Sequence, residues 1–252
     1  MRKLDKFYIG GEWVTPSGTQ VLEVLNPATE EVCLEMACAN EADVDRAAAA
    51  ARAGFRGWAN TPSQERARLL LAAADEMDAR ADDLIDAHTM TMGIPRHQAM
   101  DFQIAAPIEA VRYFAGICGA VDAVTETENV ITVREPIGVC ALINPWNYPL
   151  MQMIGKVIPA LAAGCTVIAK PAEQTPLPDV IMAEIFDKIG LPAGVFNLIM
   201  GIGADIGTPL CSHPEVDMVS FTGSTAVGYR VAKAAAEKLI PATLELGGKS
   251  AN

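Results

Sequence analysis

The 252-residue sequence is 51% hydrophobic and 20% charged, a balance that is typical of a folded globular chain and disfavours intrinsic disorder. Its formal net charge of −12 disfavours nucleic acid and anionic membrane surfaces as partners. Six scattered cysteines without a Cys-x-x-Cys pair predict a reduced, cytoplasmic setting without a metal site, and we expect neither a signal peptide nor a membrane span.

The first part of the chain predicts a small β region followed by a helix. Residues 7–38 alternate short apolar runs with turn residues, which favours short strands. Asn40 is a typical N-cap residue and precedes an alanine-rich helix over residues 41–58.

Two further helices are predicted before residue 120. Residues 61–64 (TPSQ) predict a capping box with proline at the first helical position. The helix after them carries one apolar stripe from Leu70 to Ile85 and ends before Gly93. A third helix follows to about Cys118. We assign residues 1–120 to an N-terminal β segment and helices that form part of one cofactor-binding domain.

The pattern changes twice after residue 120. Residues 121–137 contain a β-rich run after a plausible turn and predict a β-hairpin. Residues 138–252 then alternate buried strands with helices, which indicates a Rossmann-like, doubly wound parallel sheet of about five strands in an α/β fold. The five predicted strands are 139–143, 166–169, 195–199, 218–221 and 242–246. Such sheets bind ligands at the carboxyl ends of their strands.

A turn between the fourth strand and its helix is a candidate phosphate site. Gly223 allows close approach of the backbone to a ligand, and Ser224 stands at a helix N-terminus, where N–H groups favour an anion. A simple capped helix explains the same residues. The turn after the third strand carries Gly203 and Gly207, but Ile206 replaces the third glycine of a Gly-x-Gly-x-x-Gly fingerprint, which therefore fails.

The end of the second strand carries a lysine and a glutamate. Lys170 and Glu173, in the run KPAE at 170–173, can face one ligand, and the carboxylate can accept hydrogen bonds from a ribose diol while repelling a 2′-phosphate. The alternative is a solvated ion pair on the surface.

Two more runs carry groups suited to acyl chemistry. Pro145 and Pro149 restrict the backbone around Asn147, so its amide can be held in place to stabilise an oxyanion. This run can also be a simple turn. Glu245 precedes two glycines at the end of the fifth strand and is a candidate general base, although a lone glutamate at such a place is usually only exposed.

Together these runs resemble the NAD(P)-dependent aldehyde dehydrogenase superfamily. The resemblance rests on PWNYP at 145–149, KPAE at 170–173, FTGST at 221–225 and ELGGK at 245–249, with IGGEW at 9–13 near the start. It covers the whole chain and implies the N-terminal, cofactor-binding half of such an enzyme, with the domain that carries the catalytic cysteine beyond Asn252.

The resemblance implies a role for each site residue. It implies that Asn147 is the oxyanion donor and Glu245 the base that activates the deacylating water. NAD is the implied cofactor, and Glu173 makes NADP less favourable. The implied cofactor-binding residues are Ile143, Pro145, Trp146, Asn147, Lys170, Glu173, Gly203, Gly207, Phe221, Gly223, Ser224, Val227 and Leu246. The hairpin resembles the oligomerisation arm of the family, so we expect a homodimer or homotetramer.

The family reaction requires a cysteine that we do not find among the six. Cys140 and Cys165 fall in or beside buried strands and are expected to be small core residues, and the other four are expected to lie away from the cofactor runs. The 252 residues alone are therefore predicted to be inactive. Two alternatives remain open: a stand-alone NAD-binding module without dehydrogenase activity, and a CoA-acylating relative, against which Glu245 counts.

Overall fold

The N-terminal strands divide between two sheets. A computed structural model of the protein describes residues 2–251. The strands are β1 (Arg2–Leu4), β2 (Phe7–Ile9), β3 (Glu12–Val14), β4 (Val21–Leu25) and β5 (Val32–Ala37). β1, β5 and β4 form a small three-stranded sheet in that order, whereas β2 and β3 pair as an antiparallel hairpin through Gly10 and Gly11, both with positive φ. The predicted β region is confirmed.

Helix α1 (Glu41–Ala59) begins with a complete capping box. The Asn40 side chain accepts from the Asp43 N–H, and the Asp43 carboxylate accepts from the Asn40 N–H. The capping box predicted at residues 61–64 is wrong: α2 (Ser63–Ala79) follows Pro62 without a side-chain cap. The hydroxyl of Thr61, two residues after the end of α1, instead donates to the Gly57 carbonyl in the last turn of that helix at 3.0 Å.

The predicted helix with a stripe from Leu70 to Ile85 is two helices. α2 ends at Ala79, and α3 (Ala81–Thr91) begins after Arg80, whose φ of −107° and ψ of 20° interrupt the helical geometry. The apolar stripe continues across the break because both helices pack on the same core, so periodicity did not reveal the interruption.

The third helical region runs from Arg96 to Val121 as α4 (Arg96–Ala99), a π-helical turn (Met100–Ile104) and α5 (Ala105–Val121). By length and composition this run could cross a membrane, with a mean hydropathy of 1.4. The core helix of a soluble protein meets the same criteria, and α5 packs against α2 and the helix at residues 149–162. The expectation that nothing spans a membrane stays a prediction.

The predicted hairpin is present with very short strands. β6 (Thr125–Glu126) and β7 (Ile131–Thr132) pair antiparallel and form a sheet of their own. Both strands are exposed, as are the apolar side chains of Val130 and Val133. Residues 121–137 therefore project an apolar hairpin from the body of the fold.

The remaining chain alternates strands and helices as predicted. The elements are β8 (Val139–Ile143), α6 (Pro149–Ala162), β9 (Thr166–Lys170), α7 (Leu177–Lys188), β10 (Phe196–Leu198), α8 (Gly203–Ser212), β11 (Met218–Thr222), α9 (Thr225–Lys238) and β12 (Ala242–Glu245). β8 and β9 are buried at every residue, since helices cover both faces of the sheet. One face packs against α1, and the other against α6 and α7.

The main sheet has seven strands in the order β12-β11-β8-β9-β10-β2-β3. Its five parallel strands confirm the α/β fold class, and the hairpin β2–β3 extends the predicted sheet by antiparallel pairing of Tyr8 with Leu198. The chain runs outward from β8 to β10 and then returns to the other side of β8 for β11 and β12. The order therefore reverses between β8 and β11, where a crevice opens at the carboxyl ends of the strands.

Candidate functional site

A cavity of about 830 Å³ lies at this crevice. All of the site residues predicted from the sequence line it, so the structure brings together five segments that are far apart in the chain. They are Ile143, Pro145, Trp146, Asn147, Lys170, Glu173, Gly203, Gly207, Phe221, Gly223, Ser224, Val227, Glu245 and Leu246. Their common location is established, whereas their individual roles remain predictions.

The strand register explains why these residues meet. Ile143, the last residue of β8, pairs with Lys170 on one side and with Phe221 on the other. Glu245 pairs with Thr222 at the next position along β11. Carboxyl ends of parallel strands lie at one edge of a sheet, so the functional groups that follow each strand converge there.

Lys170 and Glu173 form a partly buried pair at the end of β9. The Lys170 side chain is only 2% exposed, and its Nζ lies 2.8 Å from the Pro171 carbonyl oxygen and 3.4 Å from Glu173 Oε2. Burial lowers the pKa of Lys170, and the charge of Glu173 opposes that effect. The alternative of a solvated surface ion pair is therefore wrong for the lysine, and both side chains face the cavity.

The turn before α9 has little space for any residue other than glycine. A Cβ atom at Gly223 would lie 2.5 Å from the Phe221 ring, and the Gly223 N–H donates to the Glu245 carbonyl at 3.0 Å. Ser224 is the N-cap of α9, and its hydroxyl accepts from the Val227 N–H at 3.3 Å. The turn therefore presents a helix N-terminus to the cavity, where an anion is favoured.

Asn147 lies in the loop between β8 and α6. Pro149 is the first residue of α6, and Tyr148 before it has an extended φ of −138°. The Asn147 side chain is exposed and lines the cavity. The loop thus presents an amide donor at the same edge of the sheet as Glu245.

Glu245 ends β12 and lies within electrostatic reach of a lysine. Lys156 on α6 is half-buried, and burial lowers its pKa to about 8, while the charges of Asp179 and Glu245 act in the opposite direction. Lys156 Nζ donates to Gln152 Oε1 at 3.0 Å, and the same oxygen accepts from the Thr222 hydroxyl at 3.2 Å. Thr222, Gln152 and Lys156 therefore form a hydrogen-bonded chain that links the end of β11 to helix α6.

Several residues that line the cavity were not predicted from the sequence. They include Asn144, Gln152, Thr208, Cys211, Thr222, Arg230 and Lys249. Asn144 and Thr222 lie next to predicted site residues at strand ends, and this position in the sequence could have predicted that they line the cavity. The others belong to helices or follow the last strand, where spacing along the chain does not indicate which side faces the cavity.

Two cysteines lie closer to the site than expected. Cys211 lines the cavity, and Cys38 lies near enough to Lys170 and Glu173 for their charges to act on its thiol. The expectation that both lie away from the cofactor runs is wrong, because α8 packs beside β8 and the N–H of Ala39, next to Cys38, donates to the Met200 carbonyl after β10. Burial raises the pKa of Cys211 to about 12, which leaves the thiol weakly nucleophilic.

Comparison with known proteins identifies relatives over the whole chain. The model of the aldehyde dehydrogenase family matches residues 13–252. A 3-succinoylsemialdehyde-pyridine dehydrogenase of a Pseudomonas species is 46% identical over an alignment of 253 positions that covers 100% of this chain and 53% of that protein. The chain thus spans about half the length of the curated relatives that it matches.

Solved structures show the same relationship. An aldehyde dehydrogenase C mutant from Pseudomonas syringae, in complex with NAD+ and octanal, is 44% identical with a TM-score of 0.96, and the match covers 98% of this chain and 51% of that one. The NAD+ complex of an aldehyde dehydrogenase from Bacillus cereus is 38% identical with a TM-score of 0.95 over 99% of this chain and 52% of that one.

Proposed function

Because this chain belongs to the aldehyde dehydrogenase family, we propose that the intact protein oxidises an aldehyde to a carboxylic acid with NAD. The observation that carries the proposal is the single cavity that collects Asn147, the Lys170–Glu173 pair, the turn at Gly223 and Glu245. A binding module without catalysis would need the ribose pair and the turn, but neither the amide nor the free carboxylate.

The residues of the cavity fit a dinucleotide. Gly223 keeps the backbone of the turn accessible, and a Cβ atom at Gly207 would meet open space, so neither glycine obstructs the cavity. The Glu173 carboxylate can accept from a ribose diol, and the N-terminus of α9 can hold a phosphate. When bound, NAD would supply the hydride acceptor.

We assign the chemical roles in the order of the family reaction. A cysteine thiolate adds to the aldehyde carbon, and the Asn147 amide donates to the resulting oxyanion. The carbonyl re-forms as hydride leaves that carbon, which gives a thioester. Glu245 then takes a proton from water, and the hydroxide displaces the thiol to release the acid. Within residues 2–251 the cavity offers Cys211, whose high pKa makes it unsuited to the first step.

A direct assay tests this function. The intact protein should form NADH from NAD and an aldehyde in a mixture without coenzyme A, and should release the free acid. A polypeptide of residues 1–252 tested alone should be inactive, because it lacks a reactive thiolate at the site. An intact protein that binds NAD but oxidises none of a panel of aldehydes would favour the stand-alone binding module. NADH formation that requires coenzyme A and yields an acyl-CoA would favour an acylating enzyme.

The choice of cofactor gives a second test. Glu173→Ser and Glu173→Gln in the intact protein should lower the preference for NAD over NADP by about tenfold or more in kcat/KM, because each removes the charge that repels a 2′-phosphate. Glu237→Ser is the control, since Glu237 is exposed on α9 and pairs only loosely with Lys233, at 4.0 Å. An unchanged preference in both Glu173 variants would remove this residue from its assigned role.

We also propose that the hairpin at residues 121–137 mediates a homodimer or homotetramer of the intact protein. Its support is a cluster of exposed apolar side chains on and around the hairpin. They are Val124, Val130, Ile131, Val133 and Ile137, with exposures between 44% and 64%. Surfaces of this kind in folded proteins usually meet a partner.

A further inference from the structure

A fully buried carboxylate lies behind the wall of the cavity. Asp179, in the first turn of α7, is 0% exposed, and its Oδ1 accepts from Asn144 Nδ2 at 3.2 Å. Asn144 is the first residue after β8, lines the cavity and donates its backbone N–H to the Lys170 carbonyl at 3.0 Å. Buried acids are rare because they lose hydration, so Asp179 is an unusual choice at this position.

The hydrogen bonding of this pair is incomplete. Asp179 Oδ2 and Asn144 Oδ1 are both buried and have no hydrogen-bond partner in the part of the chain that the structure describes. Each such atom is costly, and a pair of apolar residues at positions 144 and 179 would remove both of them. Stability alone therefore does not explain the carboxylate.

Two lysines are the charged groups that act on Asp179 from neighbouring elements, Lys156 on α6 and Lys170 on β9. Burial, the larger effect, raises the pKa of Asp179 to about 7, whereas Asn144 and the two lysines act to lower it. The charge of Glu245 in turn acts to raise the pKa of Lys156, and the charge of Glu173 acts to raise the pKa of Lys170. Asp179 thus lies within electrostatic reach of two lysines, of which Lys170 is paired with Glu173 at the cavity.

We propose that Asp179 is a positioning residue of this site: its carboxylate holds Asn144, and with it the loop that carries Asn147, against the ends of β8 and β9. The proposal rests on the function proposed above. Asn144 precedes Pro145, whose ring restricts both residues, so the placement of Asn144 constrains the loop three residues further on. The positive charges of Lys156 and Lys170 partly offset the cost of burying the Asp179 carboxylate.

The variants Asp179→Asn and Asp179→Leu in the intact protein test this role. Asp179→Leu leaves Asn144 Nδ2 without its acceptor, so we expect its kcat to fall about tenfold or more with KM for NAD nearly unchanged, since a displaced amide affects the reacting centre more than the ribose end. Asp179→Asn keeps an oxygen that can accept from Asn144 and should retain kcat within about twofold. A pKa raised from 3.8 to about 7 destabilises the folded state progressively as the pH rises across that interval. Both variants should therefore have an equal or higher thermal midpoint than the wild type at pH 8.

Asp43→Asn is the matched control. Asp43 is also fully buried, but it accepts from the backbone N–H groups of Ser17 at 2.8 Å and Gly18 at 3.1 Å and does not line the cavity. The control should lower the thermal midpoint and leave kcat unchanged, the opposite of the result for Asp179→Leu. If Asp179→Leu also lowers the midpoint and loses activity only in proportion, or if Asp179→Asn loses as much activity as Asp179→Leu, the hydrogen bond to Asn144 does not position the loop and the proposal is wrong.

The loop offers a readout that needs neither aldehyde nor NAD. Trp146, which is 56% exposed, stands beside Asn147, and its fluorescence in the intact wild-type protein should titrate with an apparent pKa near 7. The difference from Trp146→Phe isolates this signal, and Asp179→Asn should abolish it. A titration that persists in Asp179→Asn would overturn the proposal even if aldehyde oxidation is found, and its loss would support the proposal even if aldehyde oxidation is not found.

Discussion

Replacing Asn147 with alanine in the intact protein should lower kcat by about 10²- to 10³-fold, the usual effect of losing one oxyanion donor. The side chain lines the cavity on a loop whose backbone is restricted by Pro145 and Pro149. Because the amide acts on charge that develops only during the reaction, the loss should fall on kcat and leave the Kd for NAD nearly unchanged. Steady-state NADH formation measures the first quantity, and quenching of Trp146 fluorescence by NAD measures the second.

Asn60→Ala is the control for this experiment. Asn60 is exposed at the end of α1, where its Nδ2 donates to the Arg56 carbonyl at 2.7 Å, and it does not line the cavity. The same chemical change there should leave kcat within about twofold of the wild-type value. A normal kcat in Asn147→Ala would exclude the amide as the oxyanion donor, and a parallel loss of NAD affinity would indicate that the loop itself has collapsed.

The parallel strands could be predicted because a strand that is buried on both faces has a short, nearly continuous apolar sequence. β8 and β9 are apolar runs bounded by turn residues, and helices cover both of their faces. Once strands were assigned, Lys170 and Glu245 had to lie at one edge, since parallel strands place their carboxyl ends together. The location of the site therefore followed from the sequence without knowledge of any contact.

The hairpin β2–β3, which forms one side of the main sheet, could not be predicted in the same way. β2 joins β10 through the pair Tyr8 and Leu198, which are far apart in the chain and carry no local mark of their pairing. Likewise, the break between α2 and α3 at Arg80 leaves the apolar stripe unchanged. Both features depend on tertiary packing, which hydrophobic periodicity does not encode.

The positions of Asp179 and Cys211 near the cavity could not be predicted from the sequence pattern. An acid in the first turn of a helix is favoured by the helix dipole and is usually exposed, so the pattern around Asp179 indicates an ordinary helix start. Cys211 lies near the end of α8, and only the packing of α8 beside the sheet brings it to the cavity. Residues behind strands and on helices reach a site through packing, whereas residues at strand ends reach it through topology.

Replacing Glu245 with glutamine in the intact protein should lower steady-state kcat by about 10²- to 10⁴-fold and spare the first turnover. Glutamine keeps the size of the side chain but cannot take a proton from water. The substitution also leaves the turn intact, because Gly223 hydrogen-bonds to the backbone carbonyl of residue 245 at 3.0 Å and not to its side chain. Rapid mixing with saturating aldehyde and NAD should therefore show a burst of about one NADH per active site, followed by slow turnover.

The burst distinguishes a base that acts in hydrolysis of the thioester from a group that acts before hydride transfer. Hydride transfer precedes hydrolysis, so a missing base leaves the enzyme as a thioester after one turnover, and mass spectrometry of the quenched burst phase should detect that adduct. Glu237→Gln, an exposed glutamate on α9, should show normal kcat and no accumulated adduct. If Glu245→Gln abolishes the burst as well, Glu245 acts before hydride transfer, and if kcat is unchanged, another group deprotonates the water. Since the charge of Glu245 acts on the pKa of Lys156, Lys156 would be the next residue to replace in that case.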